Sequence, residues 1–279
     1  MADRKPPAIL PRNPGQINCD PFHRRRRNLR KFIAQVLQVF KIYWKDLRNY
    51  KFIIFAENVN HMSAKEKYTE LLAECSSKPL SSYGEDLDKY CELCNLCISL
   101  SKENLQEMDR PWETTEMARV FLHYAQWLSG FAHKLNYLYS ATSAMLDCVF
   151  DHPRLKVKLL NLLLGVLRDI EAQTMHDLSI TEDVEKELRF YQRNIEFADQ
   201  GRLDQIRESG HLKSDPVEWT ARWEEVIDEA DRIAYSNLAD MPRGMGFCHA
   251  FWPERTAALA QFGIEWKSPR RMNPRVLFD

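Results

Sequence analysis

Apolar residues recur along most of this chain at steps of three and four, the spacing that gathers side chains on one face of an α-helix. From residue 21 onward, Leu29, Phe32, Ile33, Val36, Leu37, Phe40, Tyr43, Trp44 and Leu47 share one such face. The same period runs through Met117, Val120, Phe121, Tyr124, Trp127, Leu128, Phe131, Leu135, Leu138 and Met145. A single helix over 111–151 would be about 60 Å long at the usual rise, so a bend near Ser129-Gly130 is expected.

Start and stop signals divide the rest. Asp20 followed by Pro21 suits a helix start. Ser63 with Glu66, Ser82 with Glu85, and Ser179 with Glu182 each have capping-box spacing. Pro111 and Pro153 lead further helices, and Asp215-Pro216 with Glu218 marks another start. The leucine-rich segment after Pro153 is apolar nearly all round, which places it at the centre of a bundle. A last helix spans roughly 244–262, meets Pro253 and stops at Gly263. No segment shows sustained strand alternation. The pattern predicts an all-α, multi-helix bundle of about eight helices with an extended C-terminal tail. The division is a flexible arm over 1–20, a helical domain over 21–263 that could part into lobes 21–108 and 111–263, and a tail over 264–279 in which Pro269 and Pro274 oppose regular helix.

Charge adds an asymmetry. The net charge of the 279-residue chain is −1, yet residues 1–51 carry 13 Lys and Arg against 3 Asp and Glu. Arg27, Lys31, Lys41, Lys45 and Arg48 form a stripe opposite the apolar face of the first helix, thickened by Arg24, Arg25, Arg26 and Arg30. Such a stripe suits an anionic partner: nucleic-acid phosphate, an anionic membrane, or an acidic protein surface that includes this chain's own helix after 215. The plain alternative is a solvated basic face. No helix-turn-helix, zinc-finger or RNP pattern accompanies it.

Seven cysteines, an odd number, make a poor disulfide framework and suit a reducing compartment, the cytoplasm. The first 20 residues lack the apolar core of a secretory signal. The greasiest run, at 159–167, is far short of the roughly 20 residues needed to span a bilayer.

Three cysteines crowd into "CELCNLC" at 91–97. Leu87, Cys91, Cys94, Ile98 and Leu105 share a helical stripe, with Tyr90 and Cys97 at its shoulder, so the thiols read first as small apolar core residues. The competing reading is a zinc site in which Cys91 and Cys94 find their missing ligands in Cys148 or in the adjacent Cys248 and His249. The fourth-cysteine spacing of a ferredoxin is missing. No other cofactor is implied.

Glu225, Asp228 and Asp231 stand at acidic helical spacing, but they share a face with Glu224 and Arg232 opposite the tryptophans, so a solvated face is expected. Cys248-His249 is a weak nucleophile–base pair, because neighbours on a helix diverge by about 100°. The tail concentrates Trp266, Arg270, Arg271, Leu277 and Phe278, residue types that anchor interfaces. A tail clamped on its own bundle is the favoured account, and presentation to a partner the other.

The reading is a non-catalytic interaction or adaptor protein that offers a basic helix and an aromatic-rich tail to a protein partner. A nucleic-acid-binding protein using the 24–48 stripe is the alternative, and a metal-dependent protein using Cys91 and Cys94 the third.

Overall fold

In the computed structural model, residues 62–208 and 210–278 are described. The basic stripe from Arg24 to Arg48, with the helix predicted to carry it, lies outside them, as does the 1–20 arm.

Nine α-helices and no strand occur among the described residues. They are α1 (Ala64–Ser76), α2 (Gly84–Glu107), α3 (Pro111–Leu128), α4 (Leu135–Leu146), α5 (Pro153–Thr174), α6 (Ser179–Asp199), α7 (Ala221–Asn237), α8 (Phe247–Gln261) and the single turn α9 (Pro269–Met272). The all-α bundle read from periodicity is therefore the fold of these residues.

Local chemistry sets most boundaries. Ser63 accepts from the Glu66 amide while Glu66 accepts from the Ser63 amide, the reciprocal pair that opens α1. Ser82 and Ser179 do not cap: α2 and α6 begin after Tyr83 and Leu178, neither of which makes a side-chain cap bond. The predicted long helix after Pro111 is two helices. It stops at Leu128, and the Ser129–Phe131 link leads through a 3₁₀ turn at Ala132–Lys134 into α4. Asp215 caps only a 3₁₀ turn, Pro216–Trp219, and Thr220 then caps α7 by accepting from the Trp223 amide.

Packing runs mostly between sequential helices: α1 on α2, α2 on α3, α4 on α5, α5 on α6, and α7 on α8. The α3–α7 contact ties the two ends together. Because α2 packs on α3, the segments on either side of residues 108–111 share one interface. Helix α5 buries Leu159, Leu160, Leu163 and Leu167 completely or nearly so, as its all-round apolar character predicts.

The C-terminal segment is clamped down. Trp266 is 3% exposed and packs on Trp223 with ring centroids 6.1 Å apart, so it belongs to the core and is not offered to a partner. Its indole N–H donates to Glu218 at 2.7 Å, Lys267 N–H donates to Asp215 at 2.7 Å, and Asn273 exchanges hydrogen bonds with the Lys213 backbone. Phe278 lies edge-on to Trp252. Only Arg270, Arg271 and Leu277 of the predicted tail interface are exposed. The segment is also not wholly extended, since Pro269 starts the turn of α9 rather than preventing it.

Candidate functional site

The predicted metal set does not assemble. Cys94 and Cys97 are fully buried in α2, with Cys91 half-buried, while His249 on α8 bonds the Phe278 carbonyl at 2.8 Å. Among the described residues no group of three or more His, Cys, Asp or Glu has the arrangement to hold a metal ion. Burial pushes the Cys97 thiol up to about 12 and Cys94 well above its usual value, which leaves both as inert core thiols. The core stripe of α2 is also rotated from the expected one: Tyr90, Leu93, Cys94 and Cys97 face inward, and Leu105 is exposed.

The chemistry gathers elsewhere, around the α4–α5 link. Pro153 opens α5 and leaves the first amides of the helix without internal partners. Glu224 of α7 supplies them: its two carboxylate oxygens accept from Arg154 N–H at 3.1 Å and Leu155 N–H at 2.9 Å. This fixes the preceding residues, Asp151 and His152, against α7. Trp223 adds a hydrogen bond from its indole N–H to the Asp151 carbonyl, 2.9 Å.

The α7 face expected to be solvated is only partly so: Glu225 and Arg232 are exposed, whereas Asp231 is buried and Glu224 and Asp228 are half-buried. Asp231 is 3% exposed, and Arg255 of α8, itself 7% exposed, lies between it and Asp151. Arg255 Nη2 donates to Asp151 at 2.7 Å and to Asp231 at 3.0 Å, and Nε stands 2.7 Å from the other Asp231 oxygen as an ion pair. The guanidinium is enclosed by the rings of Trp223, Trp266 and Phe251, with centroids at 5.3, 5.3 and 5.5 Å. A second pair lies beside it: His152 Nε2 to Asp228 at 2.9 Å, with Glu224 3.7 Å from Nδ1. The other Asp228 oxygen takes Arg119 of α3 at 3.4 Å.

These surroundings set the charge states. Burial alone would lower the His152 imidazole, but its hydrogen bonds and charge interactions with Asp228 and Glu224 outweigh that and hold it at about 9, protonated at neutral pH. Burial raises the Asp231 carboxyl to about 7 against the pull of Arg255. For Asp151 burial is outweighed by the charge and hydrogen bond of the same Arg255, which keep it ionised below the usual range. Glu218, buried behind Trp266 and near Asp151, is raised to about 7.

Asp151, His152, Asp228 and Asp231 all line a cavity of about 290 Å³. Tyr235, Phe247 and Phe251 form an aromatic wall, with Tyr235 to Phe251 centroids 4.8 Å apart, and Asn104, Thr114 and Thr115 face them from α2 and α3. The rim carries Leu105, Met108 and Phe150, all large apolar side chains exposed to solvent. In the short link at that rim, Met108 and Arg110 both take positive φ, a conformation L residues adopt at a cost of order 1–3 kcal/mol.

Sequence reasoning named the α7 carboxylates but assigned them to solvent, and took Asp151 and His152 only as a helix boundary. A signal was present: Arg255 sits four residues after Phe251 and eight after Phe247, an arginine at an apolar register position of α8. The chain matches no family model, no curated protein sequence and no solved structure.

Proposed function

We propose that this is a non-catalytic helical binding protein whose described residues receive a small ligand in the cavity between α2, α3, α7, α8 and the α4–α5 link. The observation that carries this reading is the coincidence of buried ionic groups, an aromatic wall and an exposed apolar rim at one concavity. At about 290 Å³ it stands at the small end of the roughly 300–1,000 Å³ common for ligand pockets. Against a catalytic role stands the pairing of the ionisable groups: Asp231 and Asp151 are engaged by Arg255, and His152 by Asp228. The Cys148 thiol on the wall is raised by burial to about 11 and is a poor nucleophile.

The test is a fragment screen on the full chain by ligand-observed NMR, repeated on Cys248→Trp, which puts a bulky ring on the half-buried wall of α8. Hits that disappear in the variant are expected. Hits retained unchanged by a folded variant would count against the cavity.

A second reading concerns partners. The excess of positive charge in residues 1–51 supports an adaptor that engages an acidic protein or, alternatively, a nucleic acid. All six described cysteines are free thiols, which supports a cytoplasmic, reducing setting. No helix among the described residues is long and apolar enough to cross a membrane.

A further inference from the structure

The polar side of the cavity is unequal in sign. Four carboxylates line it (Asp109, Asp151, Asp228 and Asp231), whereas no Lys or Arg does, and His152 is the single wall cation. The guanidinium groups that balance these acids are not on the wall. An anionic ligand would meet those carboxylate acceptors with its own charge, and the one charged donor on the wall, the His152 imidazolium, is already paired with Asp228.

Most of the acceptors are already used. Both oxygens of Asp231 face Arg255, and those of Asp228 are divided between His152 and Arg119. Asp109 accepts no hydrogen bond among the described residues but is flanked by two guanidiniums, 3.5 Å from Arg110 and 3.7 Å from Arg243. Asp151 differs. Its Oδ2 accepts from Arg255, but among the described residues nothing donates to Oδ1, and its side chain is 36% exposed. Asp151, an ionised carboxylate on the cavity lining, therefore keeps one oxygen without a donor among the described residues.

A second observation concerns the rim and is independent of charge. Leu105, Met108 and Phe150 come from the end of α2, its following link and the α4–α5 link, and are 45%, 43% and 57% exposed. Large apolar side chains left in water singly are ordinary; three around one opening are a surface that a ligand's apolar portion would cover.

We propose that the cavity binds a small organic cation whose protonated amine donates to Asp151 Oδ1 and whose apolar body lies against Leu105, Met108 and Phe150. This rests on the ligand-binding reading above and gives it a chemical class. Recognition is by position: a primary ammonium brings three donors to an open acceptor, while the apolar body removes the rim from water. No bond is made or broken.

The experiment compares three probes of one shape with the full chain: phenethylammonium, 2-phenylethanol and phenylacetate, each titrated by NMR and by thermal shift. Phenethylammonium should bind at least about tenfold more tightly than the neutral alcohol, a difference of about 1.4 kcal/mol, and phenylacetate should not bind. Phe150→Ala, at an exposed position, should weaken phenethylammonium about tenfold without unfolding the protein. Asp151→Asn should erase the preference for the ammonium over the alcohol while leaving the alcohol's own affinity in place. If alcohol and ammonium bind equally to the unaltered chain and both are lost in Cys248→Trp, the amine class is overturned and the cavity stands as a binding site. If phenethylammonium binding survives both Phe150→Ala and Cys248→Trp, or if no probe binds at millimolar concentration, both readings fall.

Discussion

Arg255 links two acids and three aromatic rings in the described core. Its guanidinium serves two carboxylates and is stacked among three aromatic rings, so its removal would leave Asp151 and Asp231 facing each other with their shared cation gone. Arg255→Met is expected to cost about 3–5 kcal/mol in chemical denaturation, the usual result of breaking a buried pair from one side. Arg255→Lys should recover only part of that, because an ammonium lacks the planar fork that spans both acids; full recovery would mean the charge alone matters. His152 makes a different prediction. Its folded value of about 9 lies above the ordinary 6.5, so the folded state holds this proton more tightly than the unfolded chain. The resulting stability is fully present below about pH 6.5 and is lost as pH rises through about 9, a change of roughly 3 kcal/mol. Asp231 and Glu218, raised from 3.8 and 4.5 to about 7, act in the same sense over a lower window, with stability lost as pH climbs from about 4 through 7. Denaturation midpoints measured from pH 5 to 9 should fall steadily, and His152→Gln should flatten the part above pH 7. A midpoint that rises across that upper range in the unaltered protein would contradict the assignment.

At the scale of elements, α5 and α7 are joined end to side. The N-terminus of α5 has no side-chain cap of its own, and Glu224 of α7 takes that role from 69 and 70 positions away in sequence. Glu224→Ala should cost about 1–2 kcal/mol, as loss of a good cap does, and should speed amide exchange at Arg154 and Leu155 above all other residues of α5. Uniform exchange along α5 would show that the cap is dispensable. The same pair explains which parts of the pattern misled. Periodicity located α7 and assigned its tryptophan-bearing face to the interior, where Trp223 is indeed fully buried. It assigned the acidic side to solvent, which holds for Glu225 and Arg232 but not for Asp231, because α7 meets α3 as well as α8 and only part of its polar side stays free. The capping spacings at Ser82 and Ser179 failed for a related reason: a box pattern shows that a cap could form, while packing chose the neighbouring residue as the boundary.

The whole molecule combines a C-terminal clamp with a charge asymmetry. Trp266, Asp215, Glu218 and Asn273 tie the last segment to the 213–219 link and to Trp223. Trp266→Ala is expected to destabilise the protein by about 3–5 kcal/mol and to loosen this segment to proteolysis after Gly263. A variant as stable and protease-resistant as the parent would make the clamp incidental. For the basic segment, the chain should bind heparin or an acidic partner with an affinity that falls steeply with salt, and removal of residues 1–31 should abolish it. Equal retention of the truncated and full chains on a heparin column would refute that role.

The helical class, the central place of α5 and the approximate ends of most described helices follow from amino-acid order, since periodicity, proline and capping chemistry act over a few residues. Which helix faces meet does not. His152 reaches Asp228 across 76 positions, and Arg255 reaches Asp151 across 104. No local rule distinguishes a carboxylate bound for water from one that will find a guanidinium at such range. Folding decided that Trp266 closes the core, that the thiols of α2 stay apart from Cys248 and His249, and that an acidic face becomes the wall of a cavity. For Trp266 and for the acidic residues, burial of a ring or a charge was repaid by a partner distant in sequence, and such a partner exists only once the helices have packed.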